Sequence, residues 1–285
     1  MKKRDFIGGT LFICASFSAI IIFLITFYLL REGIGVLNWN FLTGMIWNPN
    51  QNQYGILPML VSTLIIVAGA IALAVVIGVP CAIFLAEFAP FWVRNIVKST
   101  VEILVGIPSI VIGFFGFLVI VPLIREHMSS GNGESILAGW IVLTIMILPN
   151  IITISEDAIR AVPYSYREAS LALGATKWQT VRNAVLPSAS SGIGAALILG
   201  IGKAFGETMA VLLVIGNPNI PFIPTSILDN VRTLTSTIAI EFGYADWDSA
   251  HMYALYAIGV VLFFIVVILN FVATVLIRRR MIKEP

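Results

Sequence analysis

The sequence predicts an all-α protein that crosses a membrane six times, as a single domain over residues 1–285. The chain of 285 residues is 59% hydrophobic and only 11% charged, whereas about a quarter of the residues in a soluble domain are charged. This composition excludes a soluble domain. A membrane-spanning helix needs about 20 apolar residues, and six stretches are long enough: Phe6–Leu30, Met59–Leu85, Val101–Leu123, Ile136–Ile154, Ser190–Ile215 and Met252–Ile277.

The distribution of basic residues predicts that both termini lie in the cytoplasm. Thirteen of the seventeen Lys and Arg residues fall at the two ends of the chain and in the loops after the second and fourth stretches. The other three loops hold one each, Arg31, Arg125 and Arg232, and Lys203 lies inside a stretch. Cytoplasmic loops are enriched in Lys and Arg. The net charge of +2 follows from this topology and gives no reason to expect nucleic acid as a partner.

The first stretch is predicted to be a retained anchor helix, which with an external loop makes up residues 1–58. Basic residues precede it as in a signal peptide, but it is longer than the apolar core of such a peptide, and other spans follow. In the external loop, Trp39, Trp47 and Tyr54 are expected at the lipid headgroups, where Trp and Tyr are enriched. Contact with an external binding protein is the alternative for these aromatic residues.

Prolines interrupt the second and third stretches. Pro80 lies near the cytoplasmic end of the second, and Pro108 follows Gly106 in the third. A proline removes a backbone hydrogen bond and bends the helix, and in lipid the freed carbonyl needs another partner. Ser109 is therefore a candidate to line a polar path beside the bend, although a bend that serves packing alone fits equally well.

A polar segment between the fourth and fifth stretches, residues 159–188, is predicted to fold as two short helices at a sharp angle on the cytoplasmic side. Two pairs of residues fit the capping box, Ser165 with Glu168 and Thr176 with Gln179. In this motif, side chains satisfy free backbone N–H groups at a helix start. Gly174 lies where the first helix must end in a left-handed turn. Pro187 is compatible only with the first turn of the helix that follows.

Two charged residues, Lys203 and Glu207, fall near the middle of the fifth stretch. A charge at the centre of a spanning helix costs roughly 2.5–3.5 kcal/mol on insertion scales. Their side of the predicted helix is rich in small residues: Gly192, Ala196, Gly200, Gly206 and Ala210. It should therefore face protein or water. One interpretation is an anion site, in which Lys203 attracts an oxyanion and Glu207 accepts a hydrogen bond from a protonated one, such as phosphate. The alternative is an internal i,i+4 salt bridge.

The polar segment resembles the EAA loop of ABC importer permeases. The resemblance rests on Glu168, Ala169, Gly174, Leu186 and Pro187. In that family the loop couples the permease to an ATPase subunit by docking into a cleft on it. The chain contains no Gly-x4-Gly-Lys-Ser/Thr pattern for binding nucleotide phosphates. The resemblance therefore implies that this chain binds no cofactor and that ATP and Mg are bound by a partner ATPase chain.

Further blocks of the sequence are similar to the PstC-type permease of phosphate-specific ABC importers. These blocks are Ile107–Val111 with Gly113, Ser155–Pro163, Ala172–Thr176, Gly206–Val211 and Ile215–Asn217. The similarity implies a type I ABC importer permease fold, with its core at residues 59–277, in a bacterial or archaeal cytoplasmic membrane. The implied partners are a second, PstA-like permease, an ATPase dimer and an external phosphate-binding protein, beside membrane lipid.

The predicted substrate path consists of four residues: Ser109, Lys203, Glu207 and Thr208. In the family, a basic residue and the Glu of this span are implicated in phosphate translocation. The basic residue is commonly Arg, and here it is Lys203, which binds phosphate as a point charge without the two-pronged geometry of Arg.

The expected function is thus phosphate import driven by ATP hydrolysis on another subunit, with no catalytic residue and no metal ligand on this chain. One alternative is a permease for another oxyanion, such as molybdate or phosphonate. A second is a stand-alone secondary transporter or channel. A third, a membrane-embedded enzyme, is disfavoured because the spans contain no constellation of His, Cys or paired carboxylates.

Overall fold

The computed structural model describes residues 2–128 and 131–281, with side chains over 10–128 and 131–275. In this part of the chain, six helices are long and apolar enough to cross a membrane: Thr10–Val36, Leu57–Phe88, Ser109–His127, Ile136–Arg160, Lys177–Gly206 and Ala250–Val275, here numbered spans 1 to 6. The predicted all-α, six-span class is confirmed. The cytoplasmic placement of the termini stays a prediction, and the basic side chains at both ends lie outside the described side chains.

Span 1 packs against span 6 at the edge of the bundle. Span 1 comprises most of the helix Lys2–Gly33 and a 3-10 turn, Ile34–Val36, while span 6 belongs to the helix Ala250–Met281. A side chain at Gly33 would lie 2.8 Å from the backbone of Tyr256, so the two helices approach closely at this point. Most other apolar side chains of span 1 are exposed, as expected for a helix that faces lipid.

The loop between spans 1 and 2 folds over one end of the bundle, which we call the distal end. It contains a helix, Trp39–Thr43, and an antiparallel ribbon of Trp47–Asn48 and Gln53–Tyr54 around the 3-10 turn Pro49–Gln51. The helix Leu234–Glu241 lies at the same end. A buried apolar cluster joins these elements to spans 2 and 6: Phe41, Trp47, Ile56, Met59, Leu234, Met252 and Leu255.

Spans 2 and 4 form the centre of the core. Small residues of span 2 let the larger side chains of span 4 fill the interface. A side chain at Gly69 would lie 2.0 Å from the Trp140 ring, whose Nε1 donates a hydrogen bond to the Ile65 carbonyl at 3.0 Å. Thr144 Oγ1 donates to the Ala70 carbonyl at 3.2 Å. Both hydrogen bonds satisfy side-chain donors that lipid cannot satisfy.

Span 5 packs on span 4 through glycines as well. A side chain at Gly192 would lie 2.3 Å from the Ala158 side chain, and one at Gly200 would lie 3.2 Å from Ile151. Close approach of two backbones through small residues is the usual way in which helices associate in a membrane. The side of span 5 with small residues therefore faces protein, as the sequence predicted.

Three spans contain a π-helical turn. These turns are Phe84–Phe88 at the end of span 2, Gly116–Ile120 in span 3 and Val181–Val185 in span 5. Pro122 and Pro187 each lie two residues after a π turn. Pro80 and Pro149 lie inside the helices of spans 2 and 4.

The predicted third stretch, Val101–Leu123, is not one bent helix. An amphipathic helix, Phe91–Gly106, ends before Pro108, and a new helix begins at Ser109. Ile107 and Pro108 have extended backbone, with ψ of 129° and 137°. The residue before a proline is biased away from helical geometry, so Pro108 separates two helices.

Gly69 allows a direct test of the central packing. Replacement of Gly69 with Ala is expected to lower the stability of the protein by about 1–3 kcal/mol, because the new methyl group would overlap the Trp140 ring. Thermal unfolding in nanodiscs measures the effect. Gly202→Ala is the matched control: no atom lies within 4 Å of its added methyl group, and Ala is the better helix former. Equal melting temperatures for the two variants would contradict this packing.

Candidate functional site

Span 5 ends earlier than the sequence predicted. Its α-helix, Leu186–Gly206, stops before Glu207, whose backbone is extended with φ of −75° and ψ of 122°. After Thr208, a short helix, Met209–Leu212, continues the chain. The predicted stretch to Ile215 is therefore interrupted, and the prediction that both charges lie in the middle of one helix is wrong.

The interruption separates Lys203 from Glu207. Lys203 lies in the last turn of its helix, half-buried, where the negative end of the helix dipole stabilises a cation. Glu207 Oε1 accepts a hydrogen bond from the Ala210 amide at 3.3 Å, at the start of the short helix. Within the described residues, the Lys203 amine has no ion pair or hydrogen bond. The alternative of an internal Lys203–Glu207 salt bridge is not formed.

The two interruptions of the spans lie side by side. Span 3 packs on the short helix after Glu207, since a side chain at Gly113 would lie 2.5 Å from Ala210 Cα. Further along, one at Gly116 would lie 3.0 Å from the Val214 side chain. The two segments therefore run in parallel, and their starting ends, where Ser109 and Glu207 lie, are at the same level.

The other two predicted path residues add hydroxyl groups at this level. Thr208 Oγ1 donates to the Gly206 carbonyl at 3.4 Å. Ser109 is half-buried, and its hydroxyl makes no hydrogen bond with a described residue. No direct contact joins Ser109 to Lys203, Glu207 or Thr208 in the described residues. The four residues share a region of the bundle without forming a closed site.

The polar segment at residues 159–188, which we call the hairpin, has a short helix, Tyr164–Ala172, as its first arm. It starts directly after Pro163 without a side-chain cap, so the predicted capping box of Ser165 and Glu168 is wrong. The helix begins two residues before the start that a Ser165 cap would require, which places Ser165 inside it. Glu168 and Ala169 are exposed, and the following Leu173 is 90% exposed.

The turn between the arms has the predicted geometry. Gly174 has φ of +82°, the left-handed region. Thr176 and Gln179 form the predicted capping box. The Thr176 hydroxyl accepts a hydrogen bond from the backbone N–H of Gln179 at 3.3 Å, and the side-chain oxygen of Gln179 accepts one from the backbone N–H of Thr176 at 2.8 Å. Both local predictions are confirmed.

The second arm is not a separate short helix. The helix Lys177–Thr180 passes through the π turn Val181–Val185 directly into Leu186–Gly206. Pro187 lies in the first turn after the π turn. Together these pieces form span 5, a continuous helical rod of 30 residues. At about 1.5 Å per residue, the rod links the hairpin to the turn that carries Lys203.

A buried carboxylate at the hairpin end of the bundle was not predicted. Glu156, only 1% exposed, lies 3.0 Å from Arg94 Nε, 3.2 Å from Lys98 Nζ and 3.5 Å from Arg160 Nη1. Lys98 also contacts Asp157 at 3.1 Å. Burial lowers the pKa of the Lys98 amine, but the bonds to Asp157 and Glu156 outweigh burial and raise it. The i,i+4 spacings within each helix were visible in the sequence; their pairing across two helices was not.

A second ion pair fixes the base of the hairpin. Arg167 of the first arm binds Glu87 at the end of span 2, and it donates to the carbonyls of Val162 at 2.7 Å and Ile159 at 3.0 Å. The guanidinium group thus joins the hairpin to spans 2 and 4. Because Arg presents several donors in a rigid plane, these contacts hold one orientation of the first arm.

A second buried carboxylate organises the distal end. Glu241 accepts hydrogen bonds from Trp47 Nε1 at 3.0 Å, from Arg232, and contacts His251 Nε2 at 2.6 Å. Trp47 is 3% exposed, so its expected place at the lipid headgroups is wrong, because its N–H binds this buried carboxylate. Burial and the nearby Glu241 charge raise the pKa of the Tyr54 phenol.

The side chains of Trp39 and Tyr54 are more exposed than that of Trp47. Trp39 is exposed, as the headgroup expectation requires, and Tyr54 is half-buried. Tyr54 and Glu241 line a polar cavity of about 740 Å³ at the distal end. Among the described residues, no three His, Cys, Asp or Glu side chains are grouped so that they could hold a metal ion.

The profile of one family, described as "Binding-protein-dependent transport system inner membrane component", matches residues 78–282. This chain belongs to that family. It is a multi-pass permease of the inner membrane and a transport subunit, and ATP hydrolysis is carried by a separate chain. Membership excludes the stand-alone secondary transporter and the membrane enzyme that the sequence had left as alternatives.

Curated relatives cover most of the permease. It is 42% identical over 246 residues to the probable ABC transporter permease protein YqgH of Bacillus subtilis, covering 86% of this chain and 78% of that protein. It is 35% identical to the phosphate transport system permease protein PstC of Pasteurella multocida, and the match covers 89% of this chain and 84% of that protein. It is 33% identical to PstC 1 of Mycobacterium tuberculosis, covering 87% and 85%.

Solved structures share the fold of the permease. A bacterial alginate ABC transporter, in complex with a pentasaccharide-bound periplasmic protein, aligns with a TM-score of 0.64 at 15% identity, over 97% of this chain and 96% of that one. The inward-facing MetNI methionine ABC transporter aligns with a TM-score of 0.61 at 22% identity, over 77% of this chain and 93% of that one. The type I ABC importer permease fold that the resemblance implied is confirmed.

Glu156 offers a test of the charge cluster at the hairpin end. Glu156→Gln is expected to lower the stability of the permease by about 2 kcal/mol. This loss lies between the values typical of exposed and of fully buried ion pairs, because the three cations that contact Glu156 keep partial access to water. Thermal unfolding of the purified protein measures this loss. The control is Asp157→Asn, which removes an adjacent but exposed carboxylate and should cost less than about 1 kcal/mol. A larger effect at Asp157 would refute the central place of Glu156.

Proposed function

We propose that this permease is a subunit of an ATP-driven importer of inorganic phosphate. The observation that carries the proposal is the Lys203 amine at the end of span 5, which has no ion pair or hydrogen bond among the described residues. An unpaired cation at membrane depth is costly, and such residues are typically found on ion or substrate pathways. The PstC relatives, which are phosphate transport system permeases by name, support phosphate as the anion.

The chemistry of the interruption suits a protonated oxyanion. Lys203 attracts the negative charge, and its position at a helix end leaves its donors free. Glu207 is an acceptor when ionised, so it repels a bare dianion and accepts a hydrogen bond from an anion that carries a proton. Phosphate carries such a proton near neutral pH, whereas sulfate does not. The hydroxyl groups of Ser109 and Thr208 add neutral partners on the same path.

Coupling to ATP proceeds through the hairpin at residues 159–188, which faces the cytoplasm together with both termini. The exposed surface around Glu168, Ala169 and Gly174 docks into a cleft of the ATPase, which binds ATP and Mg. Closure of the ATPase dimer pushes the hairpin. The continuous rod through Leu186 and Pro187 then carries the displacement to Lys203 and switches access to the path.

Two further partners complete the importer. An external phosphate-binding protein delivers the anion to the distal end. A second, PstA-like permease supplies the other wall of the path, which accounts for the apolar side chains that span 3 leaves exposed, among them Phe114, Phe115 and Leu118. Phosphate passes between the two permeases.

A second candidate substrate class is another oxyanion, such as molybdate or phosphonate. It is favoured by one observation: the relative at 42% identity has a name that gives no substrate. The coupling hairpin would serve such an importer equally well. Uptake by the reconstituted complex from a panel of oxyanions separates the two candidates.

Substitutions at the interruption test the path. Lys203→Ala and Glu207→Ala are each expected to reduce the rate of phosphate uptake by the reconstituted importer below about a tenth of the wild-type rate. A tenfold loss corresponds to a rise of about 1.4 kcal/mol in the activation free energy of transport. Lys203→Arg keeps the charge and should keep uptake. Glu207→Gln keeps an oxygen for the Ala210 amide but loses the charge, so this variant should also admit sulfate. Normal phosphate uptake by both Ala variants would remove the pair from the path.

Gly174 tests the coupling. Gly174→Val forces a branched residue into a left-handed turn, at about 1–2 kcal/mol, without a steric clash, because no atom lies within 4 Å of an added Cβ. We expect an assembled complex that hydrolyses ATP but does not import phosphate. Ala172→Val, an exposed site in the adjacent helix, adds similar bulk without this strain and should transport. Normal uptake by the Gly174 variant would overturn the coupling role.

A further inference from the structure

A cavity of about 800 Å³ lies at the base of the hairpin. It opens between the first arm, the end of span 2 and the start of the helix Phe91–Gly106, and we call it the hairpin-base cavity. Four cations line it, together with a single carboxylate, Glu87: Arg94, Arg160, Arg167 and Lys177. The transport cycle proposed above uses none of these cations.

Positive charge exceeds negative charge around this cavity. Five cations, Arg94, Lys98, Arg160, Arg167 and Lys177, surround it or contact its walls, against three carboxylates, Glu87, Glu156 and Asp157. Each carboxylate is already engaged. Lys177 has no carboxylate partner among the described residues; its amine lies over the Phe88 ring, 4.8 Å from the ring centre. Two positive charges are therefore left uncompensated.

One wall of the cavity carries Arg94. Its Nε is buried 3.0 Å from Glu156 Oε1, so a ligand in the cavity would meet the rest of the guanidinium group. Arg and Lys donors bind phosphate oxygens strongly, because the hydrogen bonds are assisted by charge. A phosphate group in the cavity would accept such bonds and balance the excess charge.

The cavity lies where phosphate groups are abundant. Phe91 and Trp92 begin the amphipathic helix beside Arg94 and are exposed on its surface. Aromatic side chains in such positions are typical of the membrane interface, at the level of the lipid headgroups. Free phosphate would also reach this site from the aqueous phase on the hairpin side.

We propose that the hairpin-base cavity binds an anionic phosphate group, from either a lipid headgroup or free inorganic phosphate. The bound group bridges the two arms of the hairpin, through Arg167 and Lys177, to Arg94 of the amphipathic helix. It holds the hairpin against spans 2 and 4 and so sets how readily the hairpin moves. This site is separate from the translocation path and needs no assumption about the transported substrate.

The test uses the full permease assembled with its partner subunits, in a Lys203→Ala/Glu207→Ala background that removes binding on the path. In one arm, nanodiscs of phosphatidylcholine with phosphatidylglycerol are analysed for retained lipid by native mass spectrometry. In the other, radiolabelled inorganic phosphate is titrated into nanodiscs of phosphatidylcholine alone. Lys177→Gln and Arg94→Gln/Lys177→Gln are compared with Arg182→Gln, which removes the same charge from an exposed residue of the same rod, outside the cavity.

We expect one saturable phosphate group per permease in at least one arm, and the arm that shows it identifies the source. Lys177→Gln should weaken this binding by about ten-fold, since a charge-assisted bond is lost, and Arg182→Gln should leave it unchanged. Lys177 has no ion pair, so its loss does not threaten the fold. The absence of saturable binding in both arms, or equal weakening by Arg182→Gln, would overturn the proposal. Failure of phosphate uptake by the reconstituted wild-type importer, with cavity binding intact, would instead count against the proposed substrate.

Discussion

Hydrocarbon offers no partner to a backbone N–H or C=O group, so every interruption of a spanning helix has to be enclosed by protein. This constraint explains the arrangement of spans 3 and 5. The predicted third and fifth stretches are broken, after Gly106 and after Gly206, and the segments that follow pack together through Gly113 and Ala210. Lys203 lies beside this contact, in the last turn of span 5, half-buried and without a partner among the described residues.

Buried carboxylates hold the two ends of the bundle, where the helices leave the apolar core. Glu156 gathers cations of the amphipathic helix and span 4, and Glu241 gathers donors from three separate segments of the distal end. Each of these two carboxylates joins segments that are far apart in sequence. The middle of the bundle, by contrast, relies on small residues and close packing.

Hydropathy was sufficient to predict the number of spans, because a spanning helix needs a long apolar stretch wherever it lies. Two local features could also be predicted from the sequence, because they depend only on neighbouring residues: the left-handed conformation of Gly174 and the Thr176–Gln179 capping box. Span ends and charge partners could not be predicted. The break at Glu207 is stabilised by packing on span 3, and the Glu156 and Glu241 hubs require knowledge of which helices meet.

The π turn at Val181–Val185 adds a consequence for span 5. A π turn contains one more residue than an α turn, so side chains beyond it are rotated by about 100° relative to those before it. Corresponding faces of the two halves of the rod are therefore offset by about 100°. Substitutions in the hairpin arm, at the proposed docking surface, need not alter the face that carries Lys203, on the proposed anion path.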